Sequence, residues 1–402
     1  MFRRLAIAFL LLTFLSTPSW AGVAPPTMVV GAKTLLVVAV RFKDVDPGVS
    51  LRDIADKAAK VARYIGASSY GKVSLSPRVV GWYVLPGRLA DYRVSPYNLH
   101  VDRQRVRALL SEALGAARAN GVDPAAYDQI WIDVGIKTMP GTGYGMIAYC
   151  ANPGMLSGYR GRDFRNVTID LAGGGSYTGP AIVSAENAHV GHVAHDLLHA
   201  LGGTRDGRRV VPDLYNFRLQ SNPPPGAPML PSTFATYVGP WGIMSEHFIQ
   251  KFSPPPPPTA FTRIQLGWIS GDHIVDLRRG QERAVTLAPL ATGNGVLAVR
   301  IHLTPSRYLL LSNRQPILGD AVLPSHGMIV SVIDVDAPEG GGIVRVIDAT
   351  PATSTLDDAP YGPGDVFIAK RANTAVIVQS QDKAGNLHLV VTQPGQIDSL
   401  RR

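Results

Sequence analysis

The chain has 402 residues, of which 46% are hydrophobic and 17% are charged. This composition excludes an intrinsically disordered chain and is typical of a folded protein with about two domains. The formal charge of +9 is spread along the chain, so we expect no nucleic-acid partner. A single cysteine, Cys150, excludes an intramolecular disulfide and a cysteine-rich zinc site.

Residues 1–21 have the three-part pattern of a secretory signal peptide. Two arginines precede an apolar run from Leu5 to Phe14, and Ser19 to Ala21 supplies small residues for a cleavage site. An uncleaved membrane anchor is the alternative, but the run is shorter than the ~18 residues that span a bilayer. We therefore expect a secreted, extracellular protein with no stable membrane insertion after signal cleavage. Loss of the two arginines would lower the formal charge from +9 to +7.

The predicted elements alternate between strands and helices. Short β-branched or alternating apolar runs predict strands at 34–42, 72–84, 129–134 and 166–171. Helical spacing of apolar residues predicts helices after a Ser50/Asp53 capping box, at 106–121 and at about 181–201. This order indicates a mixed α/β or α+β domain.

The second half of the chain has a different character. Residues 202–260 are rich in loops and include the run Pro254–Pro258, which favours polyproline II and predicts either a stiff spacer or a rigid surface loop. From Val285 onward, short β-branched runs are separated by glycine, proline and aspartate. They predict a C-terminal β domain, built as a sandwich.

The candidate functional residues lie in the third predicted helix. His195 and His199 are one turn apart, about 40° around the axis, so both imidazoles can reach one metal ion. Asp196 follows the first histidine, where a carboxylate can act on a metal-bound water, as in H-E-x-x-H. The alternative is a helix with histidines on its polar face, since His189 and His192 lie on the same helix. Because seven residues rise about 10 Å, His192 is expected beside the site or at the surface.

Blocks of residues over roughly positions 30–395 occur in the order found in one protein family. They are 35–42 with SYGK at 69–72 and GWY at 81–83, HDLLHALG at 195–202 with PDLY at 212–215, VGPWGIMS at 238–245, and LGW at 266–268 with YLLLSNRQ at 308–315 and LPSHG at 323–327. Through these blocks the chain resembles the secreted zinc metallopeptidases of the M6 type, the immune-inhibitor-A-like group.

The resemblance implies an α+β fold with a metzincin-like α/β catalytic domain followed by a C-terminal β-sandwich-like domain. The implied divisions are a signal peptide at 1–21, a catalytic domain at 22–275 and a β domain at 276–402. It also implies a zinc (Zn2+) cofactor and a protein or peptide substrate. His195 and His199 would be ligands, Asp196 the general base and Met244 the apolar turn residue beneath the metal.

The third ligand is open, because Gly203–Val211 is inserted before the PDLY block. Asp213 matches the motif best, although a turn-forming aspartate after proline is an alternative interpretation. Asp206 is the next candidate by distance along the chain, and Glu246 and His247 are reserve candidates just after the turn.

Asp196 is one methylene shorter than the glutamate of the family motif, which withdraws its carboxylate by roughly 1.5 Å. An active site would need an adjusted backbone or a bridging water. Alternatively, Asp196 holds a ligand through a hydrogen bond in a weak or inactive protease. The sequence thus predicts a secreted zinc-dependent endopeptidase. The alternatives are a catalytically weak or inactive extracellular binding protein that retains this fold, and a structural envelope protein. The oligomeric state is not indicated.

Overall fold

The computed structural model describes residues 22–92, 102–138, 147–158, 162–217, 237–250 and 253–400. The predicted signal peptide at 1–21 lies outside these ranges. Within them the architecture is mixed α+β, which confirms the coarse fold class. None of the helices in the described part of the chain has both the length and the apolar character of a bilayer-spanning segment.

The N-terminal region, residues 22–273, is built on one five-stranded sheet. The strands of the whole region are β1 (Gly31–Arg41), β2 (Val73–Val84), β3 (Gln129–Val134), β4 (Ala148–Asn152), β5 (Ile169–Asp170), β6 (Ser176–Tyr177), β7 (Ala181–Ala185), β8 (Thr204–Arg205) and β9 (Arg208–Arg209). The region also has two small two-stranded sheets, β5-β6 and β8-β9. Its helices are α1 (Leu51–Ser68), α2 (Arg103–Ala119), α3 (Val190–Gly202) and α4 (Ala260–Gln265). The sheet has the order β2-β1-β3-β7-β4 and is parallel except at the edge strand β4.

Helix α1 begins as the sequence predicts. The Ser50 hydroxyl accepts a hydrogen bond from the Asp53 amide, and the Asp53 carboxylate accepts one from the Ser50 amide, which completes the capping box. Alternate residues of β1 point to opposite faces of the sheet. One set packs with α1 and α3, and the other packs with α2, so helices cover both faces.

The third predicted helix is shorter than expected. Residues 181–185 form the buried strand β7, because the apolar run Ala-Ile-Val-Ser-Ala pairs between β3 and β4. A short apolar run of this kind fits a buried strand as well as a helix. Helix α3 starts after His189, whose Nδ1 accepts a hydrogen bond from the Gly191 amide at 3.0 Å. Helix α3 ends at Gly202, and the positive φ of 66° after it belongs to Gly203.

The C-terminal region, residues 274–400, consists mainly of two sheets. Its elements are β10 (Ile274–Arg278), β11 (Arg283–Leu287), β12 (Ala298–His302), β13 (Arg307–Arg314), β14 (Gly327–Asp334), β15 (Val344–Ile347), β16 (Val366–Ala369), β17 (Thr374–Gln381), β18 (Leu387–Thr392) and α5 (Ile397–Leu400). The sheets β10-β12-β13-β14-β15 and β11-β18-β17-β16 share one apolar core. The boundary predicted after residue 275 falls inside β10.

The proline run joins the two regions and is not an exposed spacer or surface loop. Residues 255–258 are buried. The Pro256 carbonyl accepts a hydrogen bond from the Tyr64 hydroxyl of α1 at 2.9 Å, and the Pro258 carbonyl accepts one from Arg314 of β13 at 3.3 Å. A second apolar core runs from α1 and α3 into β13, β14 and β15, so the candidate site on α3 lies close to the C-terminal sheet.

Candidate metal centre

The two motif histidines lie together in the interior, as their spacing predicts. His195 and His199 are 3% and 1% exposed on helix α3. Their Nε2 atoms are 3.0 Å apart, and their rings meet edge to face. The i, i+4 spacing has therefore brought two imidazole nitrogens to a common point.

Asp213 is the third member of this group. Its Oδ1 atom lies 2.9 Å from His195 Nε2 and 3.1 Å from His199 Nε2. These three buried residues form the metal-ligating group that the described part of the chain offers. Of the predicted alternatives, Asp206 is exposed and lies outside the group.

The inserted segment after α3 is what returns the chain to the histidines. Strands β8 and β9 form a hairpin whose two central residues, Asp206 and Gly207, have φ values of 52° and 72°. Positive φ at both positions is typical of a type I′ turn, for which Asp-Gly is a preferred dipeptide. The hairpin closes where the Val210 amide donates to the Gly203 carbonyl at 3.1 Å, which leaves Asp213 beside α3.

Backbone carbonyls fix the tautomers of both rings. His195 Nδ1 donates to the Ile243 carbonyl at 3.0 Å, and His199 Nδ1 donates to the Val211 carbonyl at 2.7 Å. In each neutral ring the Nε2 atom then carries a lone pair. Two ring nitrogens and Asp213 Oδ1 thus converge in the interior, where one cation could bind all three. Although burial lowers the pKa of His195, the hydrogen bond to Asp213 and the charge of that carboxylate raise it above the usual value, and a bound metal would take the place of the proton.

The donor set and its dimensions fit a zinc ion. A tetrahedral zinc ion with bonds of about 2.0 Å separates its ligands by about 3.3 Å. The observed separations of 2.9, 3.0 and 3.1 Å are slightly shorter. Two imidazole nitrogens and one carboxylate oxygen also match the chemistry of catalytic zinc sites, which keep a fourth position for water or substrate.

The charges around Asp213 favour a metal-binding state. Although burial opposes ionisation of Asp213, the two histidines and Arg209 hold the pKa of its carboxyl well below the usual range. Burial, followed by the charge of Arg209, lowers the pKa of His199 to about 4. At neutral pH the third ligand is therefore an anion and His199 keeps its lone pair. Tyr215 stacks on His195, with ring centroids 5.9 Å apart and planes 13° apart, and supports that ring from one side.

Asp196 lies buried next to this group. Burial raises the pKa of its carboxyl to about 7, against the lowering effects of His195, Arg209 and a backbone hydrogen bond from Cys150 on the edge strand β4. Both ligand Nδ1 atoms are occupied by backbone carbonyls, so Asp196 does not hold either ring through that atom. Its pKa instead suits a group that gains and loses a proton near neutral pH.

The reserve candidates Glu246 and His247 lie outside the group. Burial, followed by the charge of Asp357, raises the pKa of Glu246 to about 7. The ring centroid of His247 is 4.5 Å from that of His195 and 4.4 Å from that of His192. His192 is therefore a neighbour of the site, as helix geometry predicts, and His247 packs against a ligand ring.

The turn that contains Met244 supports two parts of the site. The Ile243 carbonyl orients His195, and the Met244 carbonyl accepts a hydrogen bond from the Leu214 amide at 2.9 Å. Met244 is fully buried in the core that contains α3. The turn therefore fixes the first ligand and the segment of the third ligand relative to each other.

Sequence reasoning missed two charged residues of the site. Arg209 Nη1 lies 3.1 Å from Asp213 Oδ2 and donates to Glu339 Oε1 at 2.9 Å. The Asp206-Gly207 dipeptide is a hairpin signal that could have brought Arg209 to the site. Glu339 comes from the C-terminal region, and no local pattern indicates its position.

No protein-family model matches the chain, and no curated protein matches it either. Fold and geometry define a mixed α+β protein with a buried group of two histidines and one aspartate that could bind a metal ion. The similarity to M6-type metallopeptidases rests on the residue blocks of the sequence alone.

Proposed function

We propose that the protein is a secreted zinc-dependent endopeptidase with His195, His199 and Asp213 as metal ligands. The observation that carries this proposal is the convergence of three buried electron-pair donors within 3.1 Å of one another. Arg209 already pairs with Asp213 Oδ2, and a metal ion bound to all three donors would offset more of the cost of burying them. The choice of zinc follows from the nitrogen and oxygen donors and from the resemblance to M6-type enzymes.

Asp196 is the proposed general base. Zinc, when bound, would act as a Lewis acid and lower the pKa of a water molecule. Asp196 lies next to His195 in the chain, and its pKa of about 7 lets it accept a proton near neutral pH. The Cys150 backbone hydrogen bond orients its carboxylate.

The substrate class and the finer domain assignment belong to the same proposal. Protein or peptide substrates, a metzincin-like catalytic domain and a following β-sandwich domain are implied by the resemblance. Secretion is implied by the signal-peptide pattern of residues 1–21. The mixed α+β fold and the buried ligand group are compatible with each of these assignments.

Metal content and casein hydrolysis of the purified mature chain test this function. We expect one zinc ion per chain and casein cleavage that a chelator abolishes. Asp196→Asn should retain zinc and lose about 10²- to 10⁴-fold in rate, which is the usual contribution of a general base. Asp272→Asn removes a carboxylate that is 74% exposed, and it serves as a control with unchanged rate.

Two outcomes would overturn the proposal in different ways. A chain that binds zinc but leaves casein and mixed peptides intact would be the inactive extracellular binding protein considered above. A chain that binds no divalent metal would not be a zinc-dependent endopeptidase. An Asp196→Asn variant with full activity would remove Asp196 from the mechanism while leaving the metal centre in place.

A further inference from the structure

The C-terminal region contributes a side chain to the candidate metal centre. Glu339 lies in the connection between β14 and β15, more than 120 residues after Asp213, and is 6% exposed. We propose that Glu339 is a positioning residue that fixes Asp213 as the third metal ligand. This inference rests on the metal centre proposed above and extends it to the second region of the chain.

Glu339 acts on Asp213 in two ways. Its Oε1 atom accepts a hydrogen bond from the Asp213 amide at 2.9 Å, which fixes the backbone of the ligand. The same atom accepts a hydrogen bond from Arg209 Nη1 at 2.9 Å, and this nitrogen also donates to Asp213 Oδ2 at 3.1 Å. With its amide and Oδ2 both held, Asp213 keeps Oδ1 directed at the two histidines.

The loop that carries Glu339 is built to approach this segment. Gly340 has a φ of 71°, and a Cβ atom at this position would come within 2.1 Å of the Phe217 ring. The Phe217 amide donates to the Gly340 carbonyl at 3.2 Å, and the Gly341 amide donates to the Pro338 carbonyl at 2.8 Å. Glycine at 340 thus permits both the turn and the close approach to the residues after Asp213.

The cost of this contact argues against a role in packing alone. A buried carboxyl group loses its hydration, and an apolar residue of similar size would join two regions at lower cost. Glu339 and Asp213 also share one guanidinium, that of Arg209. One guanidinium thus serves two carboxyl groups, and a bound divalent cation would add positive charge where Asp213 directs Oδ1.

Zinc affinity of the full mature chain, measured by competition with a chromophoric chelator, tests the inference. Residues that orient a metal ligand typically contribute 10- to 100-fold in affinity, so we expect a loss of that order for Glu339→Ala. Glu339→Gln keeps an oxygen for the Asp213 amide but removes the charge that pairs with Arg209, and it should lose less. In both variants cobalt(II) should show an altered visible spectrum, because the orientation of Asp213 changes.

The matched control is Asp320→Asn. Asp320 is another buried carboxylate of the C-terminal region and pairs with a buried arginine, Arg314, at 3.1 Å. This variant should bind zinc and cobalt as the unmodified chain does. If Asp320→Asn lost as much zinc affinity as the Glu339 variants, their loss would reflect general destabilisation of the protein. That result would overturn the inference.

The remaining outcomes separate the inference from the proposed function. If the unmodified chain binds no zinc, the proposed metal centre fails before the variants are compared. If it binds zinc and the folded Glu339 variants match it in affinity and cobalt spectrum, only the positioning role fails. Should Glu339→Ala not fold, the near-isosteric Glu339→Gln decides, and an unchanged affinity and spectrum in it would overturn the inference.

Discussion

Two buried arginines, Arg209 and Arg314, differ in what surrounds them. Arg314 is 2% exposed and faces one carboxylate, that of Asp320, and the Pro258 carbonyl. Arg209 is 6% exposed and faces two carboxylates, those of Asp213 and Glu339. The first arrangement joins strand β13 to the proline run, whereas the second adjoins the ligand histidines.

The comparison shows how a structural charge pair differs from a candidate site. Around Arg314 there is one carboxylate, and burial, together with the positive charge of Arg263, lowers the pKa of the arginine although Asp320 acts in the opposite direction. Around Arg209, where burial acts in the same direction, the carboxylates of Glu339 and Asp213 outweigh it and raise the pKa of the arginine. The excess of acceptors there, together with two imidazole lone pairs, is what a metal ion would neutralise.

Removal of a ligand should have the largest effect. His199→Ala leaves two of the three protein donors. Because the binding free energy of a zinc site is shared among its ligands, we expect zinc affinity to fall by at least about 100-fold. Zinc per chain after dialysis should fall from one toward zero, and casein hydrolysis should disappear with it. His302→Ala, which removes a half-exposed imidazole from β12, should change neither quantity. Full zinc retention by His199→Ala would remove His199 from the metal centre.

Lengthening the base should have the next largest effect. Asp196→Glu adds a methylene to a buried side chain and moves its carboxylate away from the Cys150 amide. A displacement of about 1 Å can reduce the rate by about 10²-fold, so casein hydrolysis should fall while zinc binding persists. The measurement is the rate at matched zinc loading. A rise in rate would instead identify a protease whose activity was weakened by the shorter acid.

Breaking the structural pair should affect stability but not the site. Asp320→Asn leaves Arg314 without its charged partner, and such a change typically costs about 3 kcal/mol. Urea denaturation should show this decrease in the free energy of unfolding, measured with and without zinc. The decrease should be the same in both conditions, because Asp320 is not coupled to the metal. A larger decrease with zinc present would contradict the distinction between the two arginines.

Local sequence predicted the parts of the fold that depend on neighbouring residues. The capping box of Ser50 and Asp53, strand β3 and the His195/His199 pair all follow from spacing within one element. The prediction was wrong for residues 181–185, which form β7. A five-residue apolar run carries too few residues to separate a helical period from a buried strand, and pairing with β3 and β4 decided the outcome.

The sequence by itself determined that two imidazoles would share one face of a helix, and it gave Asp213 as the best third partner by motif. Only the tertiary structure decided between Asp213 and Asp206, since the β8–β9 hairpin brings one aspartate to the helix and leaves the other exposed. The tertiary structure alone also brought Glu339 to Asp213 from across the chain. The physical reason is that spacing along a helix is set by local backbone geometry, whereas contacts between distant segments depend on how their surfaces pack.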